Sequence, residues 1–174
     1  MSSDHGIEPN SVEPENAGGA ESAVGVLVVG YGNPLRSDDG LGWHAAERLA
    51  RDPRLAGTDV RWQHQLTPEL AYDFSRVRLV VLIDVSVEQA PGEISVRRLD
   101  DTSAKVEATS THHTDPAALV ALARDLWGAA PEVFIVGVGA ESLEVGESLT
   151  PTVEAAIPGI ADIVVRIVTG SLRP

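Results

Sequence analysis

The chain contains no cysteine. That absence removes disulfides, thiol catalysis and thiolate metal sites together, and it fits residence in the cytoplasm. No run approaches the roughly 18 apolar residues of a membrane span. The start of the chain has neither the basic stretch nor the apolar core of a secretory signal. Positive charge is also scarce: 13 Lys and Arg stand against 26 Asp and Glu, a formal net charge of −13. Such a surface repels phosphate backbones, so a nucleic-acid partner is disfavoured, while the acidity serves solubility.

What is present is enough for one folded domain. With 174 residues and a hydrophobic fraction of 43%, the chain can bury a core of ordinary size. The first 23 residues are rich in Ser, Glu, Gly and Asn, and read as a flexible acidic tail ahead of a single domain over 24–174. Apolar runs at Val24–Val29, Leu79–Ile83 and Val133–Gly137 predict buried strands. The second of these ends on Asp84. Alternating segments at Asp59–Gln63 and Glu93–Arg97 predict half-buried strands. The latter follows a Pro91-Gly92 turn so closely that it should run antiparallel to its predecessor at or near an edge. Helices are expected at Trp43–Arg51, at Leu70–Ser75 behind a Thr67 cap, at Ala117–Trp127 behind an Asp115 cap, and from Thr150-Pro151 to about Val168 with a bend at Pro158-Gly159. Alternation of strands and helices makes the class α/β: a three-layer α/β/α sandwich with a mostly parallel twisted sheet of about five strands, one of them antiparallel.

The most specific stretch is Gly30-Tyr-Gly-Asn-Pro-Leu-Arg-Ser-Asp-Asp-Gly-Leu-Gly42. It joins the first strand to the first helix, and ligands bind at such carboxyl-end loops of open α/β sheets. Two adjacent acids, Asp38 and Asp39, make it a poor phosphate cradle and a plausible metal or polarising site. A dinucleotide fingerprint needs glycine at Leu35 for close helix approach, and a P-loop needs a Gly-Lys pair that is missing. Peptidyl-tRNA hydrolases share the Gly-x-Gly-Asn-Pro start but continue with a Thr-Arg-His-Asn run absent here. Asp39, Asp84 and His112 are placed on three loops, two of them at the carboxyl edge. They form an O,O,N set that could take a borderline ion such as nickel. Taken singly each has an ordinary reading: Asp84 capping a turn, Asp38 or Asp39 capping a helix, and His112 or its neighbour His113 solvated in a loop.

The pattern G-x-G-N-x-L-x-x-D-[DE]-x-x-G, with Leu35, Asp38, Asp39 and Gly42 in place, resembles that of the hydrogenase maturation endopeptidases. The similarity continues through Ile83-Asp84-Val85 with the later Pro91-Gly92, then Ser110-Thr111-His112, Gly139-Ala-Glu-Ser-Leu143 and Leu149-Thr-Pro-Thr-Val153. It covers about residues 24–168. The resemblance implies a peptidase that trims the carboxyl-terminal tail of a nickel–iron hydrogenase large-subunit precursor after nickel insertion. It assigns Asp39, Asp84 and His112 to the metal and the catalytic site, favouring His112 over His113, and implies nickel supplied by the substrate. The family often has Glu at the Asp39 position. It often has Asp-Gly-Gly-Thr, thought to contact substrate, where this chain has His64-Gln65-Leu66-Thr67, a version that resembles the branch serving NAD-coupled bidirectional hydrogenases. The expected partner is the precursor, with no nucleic acid or membrane and a monomeric state favoured. A non-catalytic nickel-binding chaperone would use the same three ligands, and a peptidyl-tRNA hydrolase ranks last.

Overall fold

The computed structural model describes residues 25–99 and 114–172. The acidic tail and both His112 and His113 lie outside the described residues. In chain order the elements are β1 (Val26–Tyr31), α1 (Leu41–Leu49), β2 (Asp59–Gln63), α2 (Leu70–Ser75), β3 (Leu79–Pro91), β4 (Ile94–Arg98), α3 (Pro116–Trp127), β5 (Glu132–Gly139), α4 (Pro151–Glu154) and α5 (Ile157–Val168). The strands form one sheet in the order β2-β1-β3-β5-β4. All pairs are parallel except β4 with β5. This is the expected sandwich.

The period of two in the strands divides the core into two layers. On one face Val28, Val81, Ile83, Val136 and Val138 pack with Leu41, Ala45 and Leu49 of α1 and Ile157, Ile160 and Val164 of α5. On the other, Leu27, Val29, Val80, Leu82, Val133 and Ile135 pack with Leu70, Ala71 and Phe74 of α2 and Leu119 and Ala123 of α3. Burying each such Val, Leu or Ile side chain is worth about 1.5–3 kcal/mol. Continuous apolar runs in β1, β3 and β5 therefore follow from having helices on both faces.

The structure corrects several expectations. Strand β3 does not end at Asp84; pairing with β1 stops at Gly30–Ile83, but pairing with β5 continues through Ser86–Gly139. Strand β4 does run antiparallel to β3, but its hydrogen-bonding partner is β5. Thr67 caps no helix; Glu69 occupies the cap of α2 without a side-chain bond. The last helix breaks at Ala155–Ala156 and not at Pro158, because Pro158 falls in the first turn of α5, where a missing N–H costs nothing. Asp115 does cap α3, accepting from the Ala117 N–H at 3.1 Å.

Close helix approach is also present, from glycines other than the one sought at Leu35. A Cβ on Gly30 would sit 1.8 Å from the Gly42 carbonyl oxygen, and one on Gly42 would sit 2.3 Å from the Tyr31 oxygen and 2.5 Å from that of Ile83. The start of α1 therefore rests directly on the backbones of β1 and β3.

Candidate active site at the carboxyl edge of the sheet

That contact sets the site. Asp39 lies three residues before Gly42, and Asp84 follows Ile83, so docking α1 on the sheet brings the two carboxylates within electrostatic reach of each other. Asp39 is half-buried on a 3₁₀ turn, Ser37–Gly40. Its carboxylate accepts from the Asn33 N–H at 3.3 Å, and its own N–H donates to the Arg36 carbonyl at 3.1 Å. Gly32, at φ +135°, leaves room for the Asp39 backbone, which a Cβ there would meet at 1.8 Å.

Asp84 stands where β3 leaves β1. Its Oδ1 accepts from the Val85 N–H at 2.8 Å, and the Tyr31 hydroxyl donates to the same carboxylate. Burial drives the Asp84 carboxyl up to about 6; the Tyr31 and Val85 bonds oppose the rise, and the Asp39 charge adds to it. Burial likewise pushes the Tyr31 phenol well above its ordinary value, with the Asp84 charge reinforcing it. Arg97 and Asp115 are near enough to act on Tyr31 as well, one lowering and the other raising its proton affinity. Tyr31, Asp84, Val85, Ser86, Glu88, Gln89, Ser95, Arg97, Ile135 and Gly137 line a cavity of about 190 Å³.

Asp38, expected as a helix cap, does something else. It is fully buried and caps no helix. Its Oδ2 accepts from the N–H groups of Glu141 and Ser142, each at 2.9 Å, and from the Thr150 hydroxyl at 3.0 Å; Oδ1 accepts from the Thr150 N–H at 2.7 Å. Burial would raise its proton affinity, but these bonds outweigh it and hold the carboxyl below the usual range. Bonds from Ser37 N–H to Gly146 O at 2.7 Å and from Gly146 N–H to Leu35 O at 3.0 Å close the same seam. The Glu141-Ser142 and Thr150 motifs of the sequence are accordingly the partners of Asp38, and they fix the turn that carries Asp39.

The segment 64–67 lies at the same sheet edge, since Gln63 pairs with Tyr31. Its residues diverge. His64 is exposed and stacks on Trp43 with ring centroids 5.0 Å apart; Gln65 is exposed, and its carbonyl accepts from the Gln63 side chain at 2.7 Å. Thr67 is half-buried and bonds Glu69. Leu66 is 3% exposed, and its side chain packs within the α2 core layer and not toward solvent. Sequence reasoning missed Tyr31, Gln89 and Arg97. Tyr31 had a signal, standing two residues after buried Val29 and so on the same sheet face as Asp84.

A doubly wound α/β sheet with two carboxylates on adjoining carboxyl-end segments defines a class of α/β protein that binds its ligand at the carboxyl edge of the sheet. Comparison with known proteins narrows that class. The model of the hydrogenase maturation protease family matches residues 64–167. The hydrogenase maturating endopeptidase HybD from E. coli is 29% identical with a TM-score of 0.66, over 85% of this chain and 94% of that one. A hydrogenase 2 maturation peptidase from a Thaumarchaeota archaeon is 27% identical with a TM-score of 0.64, over 83% and 98%. An endopeptidase from Escherichia coli is 27% identical with a TM-score of 0.68, over 84% and 94%. No curated protein sequence matches the chain. The chain belongs to the hydrogenase maturation protease family, and it is a peptidase. No helix among the described residues is long and apolar enough to cross a membrane.

Proposed function

We propose that this protein removes the carboxyl-terminal extension of a nickel–iron hydrogenase large-subunit precursor once nickel is in place, and that it recognises the nickel on the substrate. The observation that supports this best is that the Asp39 charge acts on the Asp84 carboxyl and adds to the rise in its proton affinity, a rise that a bound cation would reverse. Asp39 and Asp84 would hold the ion through carboxylate oxygens. His112, three residues ahead of the Asp115 cap, would supply the imidazole. Nickel is cargo of the substrate, where it serves as a recognition element and as a Lewis acid beside the scissile carbonyl.

The residues of the chain do the rest. Near neutrality Asp84, at about 6, keeps part of its population protonated and gives up that proton when a cation arrives. The Tyr31 hydroxyl holds the carboxylate in one orientation. Water attacks the carbonyl carbon, the C–N bond breaks, and the amine leaves with a proton; with no cysteine in the chain, no thioester forms. The value near 6 also suits Asp84 to act as general base on that water. The reaction is placed in the cytoplasm.

The test is intact mass of a nickel-loaded precursor after incubation with the purified protein. Loss of a short tail is the expected result, with Asp39→Asn and Asp84→Asn each slowing it by about 100-fold or more. A precursor left whole would sink the proposal. Equal trimming of a nickel-free precursor would remove nickel from it.

A further inference from the structure

One acceptor of the cavity has no partner among the described residues: Gln89 Oε1 is buried from water and receives no hydrogen bond from them. A buried amide oxygen left so costs about 1–3 kcal/mol, and a native structure that retains one calls for a reason.

The surroundings supply it. Asp84 and Ser95 both register with Gly137, on either side of it. Because Gly137 has no side chain, a notch opens between them on the α3 face of the sheet. A Cβ there would lie 3.0 Å from Ser95 Oγ, 3.8 Å from Ser86 Cβ and 3.9 Å from Gln89 Oε1. The Ser95 Oγ is the nearest of these atoms, and its hydroxyl donates to the Gly137 carbonyl at 3.4 Å. The notch is bordered by the Asp84 carboxylate, the Gln89 oxygen and the lone pairs of Ser95, with the Arg97 guanidinium and the Tyr31 hydroxyl lining the same cavity. It opens directly beside Asp84.

Gln89 reaches it because of an irregularity in β3. Between Ser86 and Pro91 the register with β5 shifts, since both pair with Gly139. The intervening residues bulge, leaving Val87 76% exposed while Gln89 folds inward. Bulges re-aim side chains next to sites of function.

We infer that this notch is the pocket for the substrate residue adjoining the scissile bond, and that Gln89 accepts an N–H from that residue. This rests on the endopeptidase reading of the Asp39–Asp84 site. The donor is either a backbone amide or the side chain of an N–H-bearing residue; both offer the same chemistry to the oxygen. A pocket built this way discriminates against a group that cannot donate, because the buried oxygen is then left unpaired.

The experiment is equilibrium binding and single-turnover cleavage of a nickel-loaded large-subunit precursor by the wild type, Gln89→Leu, Gln89→Met and Gln89→Glu, with folding checked by circular dichroism. Gln89→Leu and Gln89→Met are expected to weaken binding by about tenfold or more. Gln89→Glu, which keeps an oxygen in place, retains wild-type binding if the donor is a backbone amide and binds more tightly if it is a cationic side chain. Precursors carrying Leu at either residue flanking the cut give the same distinction from the other partner. Binding and cleavage by Gln89→Leu and Gln89→Met within twofold of wild type would overturn the inference. Weakened binding by those variants, with no cleavage by any form, would support the pocket and overturn the endopeptidase reading alone.

Discussion

The Tyr31 hydroxyl donates to the Asp84 carboxylate from the neighbouring strand and opposes the rise in proton affinity that burial imposes. The bond favours the ionised form. Tyr31→Phe should therefore move the Asp84 value upward, and activity that needs the carboxylate should fall off at a higher pH than in the wild type. The loss is expected to be several-fold at pH 6 and small at pH 8. Cleavage rates across that range check it, and superimposed acidic limbs would refute it.

Asp39→Asn acts on the same group with the opposite sign. It removes the charge that adds to the rise at Asp84, so the Asp84 value should drop. Titration of Asp84 by carboxyl carbon NMR, with Asp84→Asn to assign the signal, reads this directly. An unchanged or higher value would show that the two carboxylates do not interact.

Asp38→Asn should destabilise the fold by about 2–4 kcal/mol, since a buried carboxylate holding four donors loses its charge and one acceptor. For a domain of this size that is a drop of roughly 5–15 °C in Tm. The sign with pH follows from the lowered value in the folded state. The wild-type carboxylate contributes stability above its unfolded value and loses that contribution as pH falls through the folded one. Melting curves at pH 7 and pH 3 should thus show a large gap between wild type and variant at pH 7 and a smaller one at pH 3.

Gly30→Ala should cost about 3 kcal/mol or more, because its Cβ would meet the Gly42 carbonyl at 1.8 Å and α1 must lift off the sheet. Denaturant unfolding measures this. Stability within about 0.5 kcal/mol of wild type would mean that α1 does not rest on β1 as described.

If nickel arrives with the substrate, the purified protein should contain none. Brief exposure to EDTA followed by desalting should then leave its activity on a nickel-loaded precursor intact. Metal analysis and the cleavage assay test this, and lasting inactivation would point to a resident ion.

Where one force decides the outcome, the sequence predicted it well. β2 occupies Asp59–Gln63 as its alternation predicts, and the Asp115 cap starts α3 where expected. Apolar runs place β1, β3 and β5 because burial on two faces leaves little choice of residue. Reading fails where a strand changes its surroundings midway. β3 continues beyond Ile83 with Asp84, Ser86, Glu88 and Gln89, which line a cavity and so lose the apolar signature of a strand. The acids of the glycine loop were visible, but their division of labour was not. Asp38 is told apart from Asp39 only by donors at Glu141, Ser142 and Thr150, too distant in sequence for any local pattern to reveal.

The Asp38 clasp is also completed late in synthesis. Its donors are among the last parts of the domain to be made, the most distant being Thr150. A nascent chain that has emerged only through β4 already carries Asp39 and Asp84, yet lacks every donor that holds the carboxylate next to Asp39. The clasp closes only when the loop before the last helices meets the loop after the first strand.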